Sequence, residues 1–60
     1  MRQVGEVWEY RDEGRNLGVY LIIAKDAYRS YKMIDLSTGE LFTKVQLPED
    51  LRGSHWRWVT

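Results

Sequence analysis

The sequence contains no cysteine, a single proline and a single histidine, and each scarcity removes a class of answer. Without cysteine, neither a disulfide framework nor a thiolate zinc site can staple the fold. The lone imidazole, His55, has no paired carboxylates beside it in the sequence. It therefore supplies neither the ligand set of a metal site nor the base of a nucleophilic triad. Four serines or threonines fall in or beside turns, and none sits in a Gly-x-Ser-x-Gly elbow. Gly14 and Gly18 flank Arg15 and Asn16 without the spacing of a phosphate-binding loop. A catalytic site, a metal and a small-molecule cofactor are all expected to be absent.

Charge of one sign is also missing, because nine basic residues balance nine acidic ones. The two signs alternate along the chain, so no long-range field would gather a polyanion, and a nucleic-acid role would need a local patch. Long apolar runs are missing too. The longest, Val19 to Ala24, falls far short of the roughly 20 residues that span a bilayer. The N-terminus lacks the basic-then-apolar pattern of a signal peptide. The expectation is a cytoplasmic protein with no membrane partner.

What is present is a core-forming composition. The 60 residues are 43% hydrophobic and 13% aromatic, enough to offset ordering entropy in one domain over residues 1–60 but not in two. Ordering costs about 1.5 kcal/mol per residue, close to what apolar burial returns in so short a chain. A protein partner or a second copy would add what the core lacks.

The texture is that of β-structure. Val4 to Tyr10 alternates β-branched or aromatic residues with charges and reads as a half-buried first strand. Asp12 to Gly18, with two glycines and an asparagine, reads as a long exposed loop. Val19 to Ala24 is apolar on both faces, as in a strand crossing the middle of a sheet. Asp26 to Tyr28 reads as a turn, and Arg29 to Leu36 as a third strand with period two. Ser37-Thr38-Gly39 then forms a hairpin loop leading to a fourth strand, Glu40 to Val45. Pro48 followed by Glu49 and Asp50 predicts one helical turn over Leu47 to Leu51. Ser54 to Val59 closes the chain as a fifth strand, with Trp56 and Trp58 on one face. Because a short chain needs its largest side chains inside, at least one of this pair is expected in the core.

In number and order these elements resemble an SH3-like barrel over nearly the whole chain, which implies an all-β, five-stranded barrel with a short helical turn before the last strand. Val4-Gly5-Glu6-Val7-Trp8 is similar to the opening of PemK/MazF-type toxins. Asp35-Leu36-Ser37-Thr38-Gly39-Glu40 is similar to a hairpin of small phage-encoded barrels. The likeness to the toxins implies shared scaffold only. Those proteins are much longer, and Leu17-Gly18 stands here in place of their Arg-Pro stretch.

Three tryptophans, four tyrosines and one phenylalanine are more rings than so small an interior encloses, and surface rings are enriched where proteins meet partners. If Val19, Leu21 and Ile23 face the core, then Tyr20 and Ile22 point outward, joined across strands by Tyr31, Met33 and Phe42. That stripe is the expected protein-binding site of a non-enzymatic module that captures a host protein, if phage-encoded, or associates with itself. The competing reading has these rings only capping the ends of the barrel. A different candidate is Lys25, Tyr28, Arg29, Tyr31 and Lys32, where cations alternate with rings able to stack on bases. Nucleic acid is thus the alternative partner, although Asp26 and the neutral total favour a solvated turn for that segment.

Overall fold

Glu13 and Gly14, both at positive φ (51° and 77°), close the first hairpin. Two consecutive residues in that region give the tight turn whose twist matches the flanking strands. The computed structural model describes residues 2–60. In it, β1 (Val7–Asp12) runs directly into β2 (Arg15–Ala27), with Asp12 opposite Arg15. The expected long loop over Asp12 to Gly18 is therefore mostly strand. Asn16 donates to the Glu9 carboxylate across the ladder at 2.6 Å. The register shift beyond Tyr10, which pairs Arg11 with Asn16, leaves Leu17 as the extra residue and exposes it.

β3 (Ser30–Asp35) returns alongside β2 after the two-residue turn Tyr28-Arg29, with Arg29 at φ 58°. The connection to β4 (Leu41–Val45) is organised by one carboxylate. Asp35 Oδ1 accepts from the Ser37 amide, the Ser37 hydroxyl and the Thr38 amide at 2.7 to 3.2 Å. Gly39, at φ 77°, donates to the Asp35 carbonyl and closes the loop. Short side chains that hydrogen-bond the backbone just ahead of them build such turns locally, so this hairpin was readable from sequence.

β5 (Trp56–Trp58) pairs with β1, giving one antiparallel sheet in the order β4-β3-β2-β1-β5. The sheet is curled but not closed, since β4 and β5 remain its two edges. The helical turn expected over Leu47 to Leu51 does not form, and the described residues contain no helix. The carbonyls of Pro48 and Glu49 accept from the Arg2 guanidinium instead of from a following helical turn. Asp50 turns its carboxylate onto the Arg52 amide. The segment still anchors the core through Leu47. No helix among the described residues is long and apolar enough to cross a membrane.

The inner side of β2 is the one opposite to that expected from the sequence. The buried cluster is Trp8, Ile22, Tyr31, Met33 and Leu47, with Tyr20, Val45, Leu51 and Trp56 packed against it. Ile22, Tyr31 and Met33 are thus core residues and not an outward stripe. Val19 and Leu21 lie on the outer face, where Val7, Leu21, Ile34 and Leu41 form one aliphatic row across four strands. Ile23 falls at a bulge between the pairs Ile22–Met33 and Ala24–Lys32 and is exposed. Within Val19 to Ile22, ahead of the bulge, period two holds, so reversing one residue reverses the other three.

The C-terminal tryptophans divide. Trp56 is half-buried against the core, while Trp58 is 61% exposed, at the end of an edge strand with no strand beyond it. The tryptophan of the deep interior is Trp8, whose indole N–H donates to Glu6 at 3.0 Å and whose ring lies under the Arg2 guanidinium.

Candidate functional site

Curling of the sheet leans rings from its two edges onto one ring in the middle. Tyr20, on β2, meets Phe42 of β4 at 5.7 Å and Trp56 of β5 at 5.6 Å, both edge to face. In a flat sheet, β4 and β5 would stand roughly 19 Å apart at the usual strand spacing. Trp56 also packs edge-on against Tyr10 at 4.9 Å, its direct partner across β1 and β5. Tyr10 in turn lies 5.4 Å from the ring of His55. Edge-to-face pairs set the positive rim of one ring on the negative face of the next, which fixes their orientation as well as burying area.

These rings surround an open cleft of about 220 Å³ lined by Tyr10, Tyr20, Met33, Phe42, Val45 and Trp56. Its floor is aliphatic and thioether, and its walls are aromatic. Tyr20 can lie where it does because residue 18 is glycine. A Cβ there would stand 2.7 Å from Tyr20 Cζ and inside the contact distance of its hydroxyl. The Tyr20 hydroxyl titrates above the ordinary tyrosine range, first because it is partly desolvated and then because Asp35 and Glu40 place negative charge nearby. Asp35 and Glu40 thus lie within electrostatic reach of the Tyr20 hydroxyl without lining the cleft.

Of the residues expected to form a protein-binding stripe, Tyr20, Met33 and Phe42 do converge, but on the inner side of the curl. Ile22 lies beneath the cleft in the core, and Tyr31 lines a different cavity. Tyr10, Val45 and Trp56 complete the cleft without having been expected there. Only the pairing of β5 with β1 brings Trp56 beside Tyr10, and nothing local in Ser54 to Val59 specifies that register.

The second candidate segment is split by the pleat. Lys25, Tyr28, Arg29 and Tyr31 line a cavity of about 410 Å³ together with Arg2, Leu47 and Glu49. Lys32 is not among them. It pairs with Ala24, on the face opposite its neighbours Tyr31 and Met33.

His55 links the start of β5 to β1, with its Nδ1 3.6 Å from the Asp12 carboxylate. Its Nδ1 lies 2.9 Å from the Arg11 carbonyl, and its own carbonyl accepts from the Arg11 amide. Among the described residues, no group of three or more His, Cys, Asp or Glu is arranged to hold a metal ion. Comparison of the chain with models of protein families, with curated proteins and with solved structures finds no match.

Proposed function

We propose that the chain is a non-enzymatic protein-binding module on an SH3-like barrel scaffold, and that its ligand is an extended, proline-rich or aliphatic segment of another protein. The scaffold reading rests on the strand order, an antiparallel meander of four strands with β5 returning to pair with β1. The binding reading rests on one observation: a continuous series of four rings, from Tyr10 through Trp56 and Tyr20 to Phe42, borders an apolar cleft open to solvent.

The aromatic walls of the cleft suit the flat, stiff units of a polyproline-type helix, which docks in aromatic-lined grooves. Such a peptide enters already extended and forfeits little entropy. The negative charge of Asp35 and Glu40 beside Tyr20 favours a ligand with a lysine or arginine at that end.

Calorimetric titration with proline-rich decapeptides, with and without a terminal arginine, tests the proposal. Phe42 is 36% exposed on an edge strand, so Phe42→Ala is expected to leave a cooperative thermal transition and weaken binding about tenfold or more. Equal affinity in the variant, or no heat with any such peptide, would remove the cleft as the site.

A further inference from the structure

The cavity at the opposite end of β2 has a different chemistry. An irregularity of the β2–β3 ladder at Ile22/Ala24 shifts the register so that Lys25 pairs with Tyr31, and a second at Lys25/Ala27 sets Ala27 opposite Ser30. The tight turn then presents Tyr28 and Arg29 side by side. Beneath them runs the extended segment carrying Leu47 and Glu49, which is held by Arg2 through the Pro48 carbonyl at 2.8 Å. Three cations and one acid thus line one cavity with two tyrosines.

Its groups are not equivalent. Arg2 is fixed, with its guanidinium 4.7 Å above the Trp8 ring, and its buried Nε has no hydrogen-bond partner among the described residues. Arg29 is held less closely. Its pairing with Glu49 is long, at 3.7 Å, and both side chains are largely exposed, so an arriving anion displaces it at little cost. Tyr28 is 84% exposed and carries the Arg29 guanidinium 5.1 Å from its ring centre, a stacked arrangement that leaves the other ring face to solvent. Tyr31, at 4% exposure, is wall and not platform. Asp26, the acid that argued against an anion site in this segment, is engaged with the Lys44 amide and does not line the cavity.

From this arrangement we infer that the cavity is a nucleotide-unit site for single-stranded nucleic acid, in which Arg2, Lys25 and Arg29 hold phosphate while a base stacks on Tyr28. A cavity of this volume lies at the lower end of those that take small ligands. Stacking on an exposed ring beside backbone-tracking cations is how single strands are bound without base readout. A duplex keeps its bases stacked inside and has nothing to offer Tyr28. The neutral total charge does not oppose this, because the site needs only the local excess that the fold assembles.

Fluorescence anisotropy with labelled oligo-dT and oligo-U, a matched duplex and the free mononucleotide provides the test. Single strands are expected to bind at low salt, with log affinity falling against log salt at a slope of about −2 for three phosphate contacts. Tyr28→Ala should weaken binding about tenfold, and Arg29→Ala should weaken it and lower the salt slope by about 0.7. Glu49→Gln, which removes the competing acid, should strengthen it. All three positions are exposed, and an unchanged thermal transition would show that the fold is intact. The proposal is overturned by an absence of binding at low salt, by duplex binding as tightly as single strand, or by affinity indifferent to Tyr28→Ala and Arg29→Ala. A free mononucleotide binding as well as the strand would overturn the assignment to a strand. Phe42→Ala, in the aromatic cleft, should leave every one of these readings unchanged.

Discussion

The two faces of the sheet are both apolar, yet only one is packed. Inside stand Trp8, Tyr20, Ile22, Tyr31 and Met33; outside, Val7, Leu21, Ile34 and Leu41 form an aliphatic row reaching from half-buried to exposed. The difference is one of size and polar reach. A curled sheet must fill its concave side from few positions; tryptophan and tyrosine fill more volume per position than valine or leucine, and the unbranched methionine adapts to the gaps they leave. The inner rings also carry polar tips that find partners, as the Trp8 indole does with Glu6.

The sharpest way to break this comparison is to place the same substitution on neighbouring residues of β2. Ile22→Lys sets an unpaired charge in the core and is expected to abolish folding, since truncating such a residue to alanine alone costs about 2–5 kcal/mol. Leu21→Lys, one residue away on the outer face, should keep a cooperative transition with a loss of about 1 kcal/mol. Circular dichroism melts of the pair decide it, and the opposite ranking would mean that β2 faces the other way.

The facing of β2 is not legible in its own residues for a physical reason. Val19 to Ala24 is apolar at every position, so period two carries no information about its parity, and the tie is broken only by what lies across the ladder. The neighbouring strands held the missing signal: Tyr31 and Met33 alternate with Lys32 and Ile34, and Trp8 alternates with Val7 and Glu9. Placing the rings of those strands, Trp8 and Tyr31, on one side orients β2 correctly. The Asp35 to Glu40 hairpin was legible because its hydrogen bonds are local. The tight Glu13-Gly14 turn was missed because glutamate rarely takes positive φ. The aromatic cleft was half legible, since Tyr20, Met33 and Phe42 were singled out together while Tyr10 and Trp56 depended on the return of β5.

A smaller effect separates the cleft from the core beneath it. Gly18→Ala places a methyl group where the end of the Tyr20 side chain now lies, and residue 18 has no positive φ that would strain the backbone. The ring must swing away, so peptide affinity should fall about as far as in Phe42→Ala while the melting midpoint drops only by about 4–8 °C. A large loss of stability with affinity retained would show that Tyr20 is structural and the cleft incidental.

The smallest expected effect lies at the hairpin. The Asp35 carboxyl is held below the ordinary carboxylate range, chiefly by the Ser37 hydroxyl and then by the Ser37 and Thr38 amides. A depressed folded-state value contributes stability that is complete above the unfolded value of about 3.9 and is lost as pH falls through the folded one. The melting midpoint of the native protein should therefore fall below about pH 4. Asp35→Asn, which keeps an acceptor for the turn, should show a flatter acid limb. Parallel limbs in the two proteins would remove this carboxylate from the account.

The central claim is that partners meet the concave aromatic side and not the aliphatic outer row. Its most direct test is a two-dimensional NMR titration of the labelled protein with the proline-rich peptide, following aromatic and methyl resonances together. The account predicts shifts concentrated at Tyr10, Tyr20, Phe42 and Trp56, with the methyl groups of Val7, Leu21, Ile34 and Leu41 unmoved. Shifts concentrated on those methyl groups, with the rings silent, would contradict it.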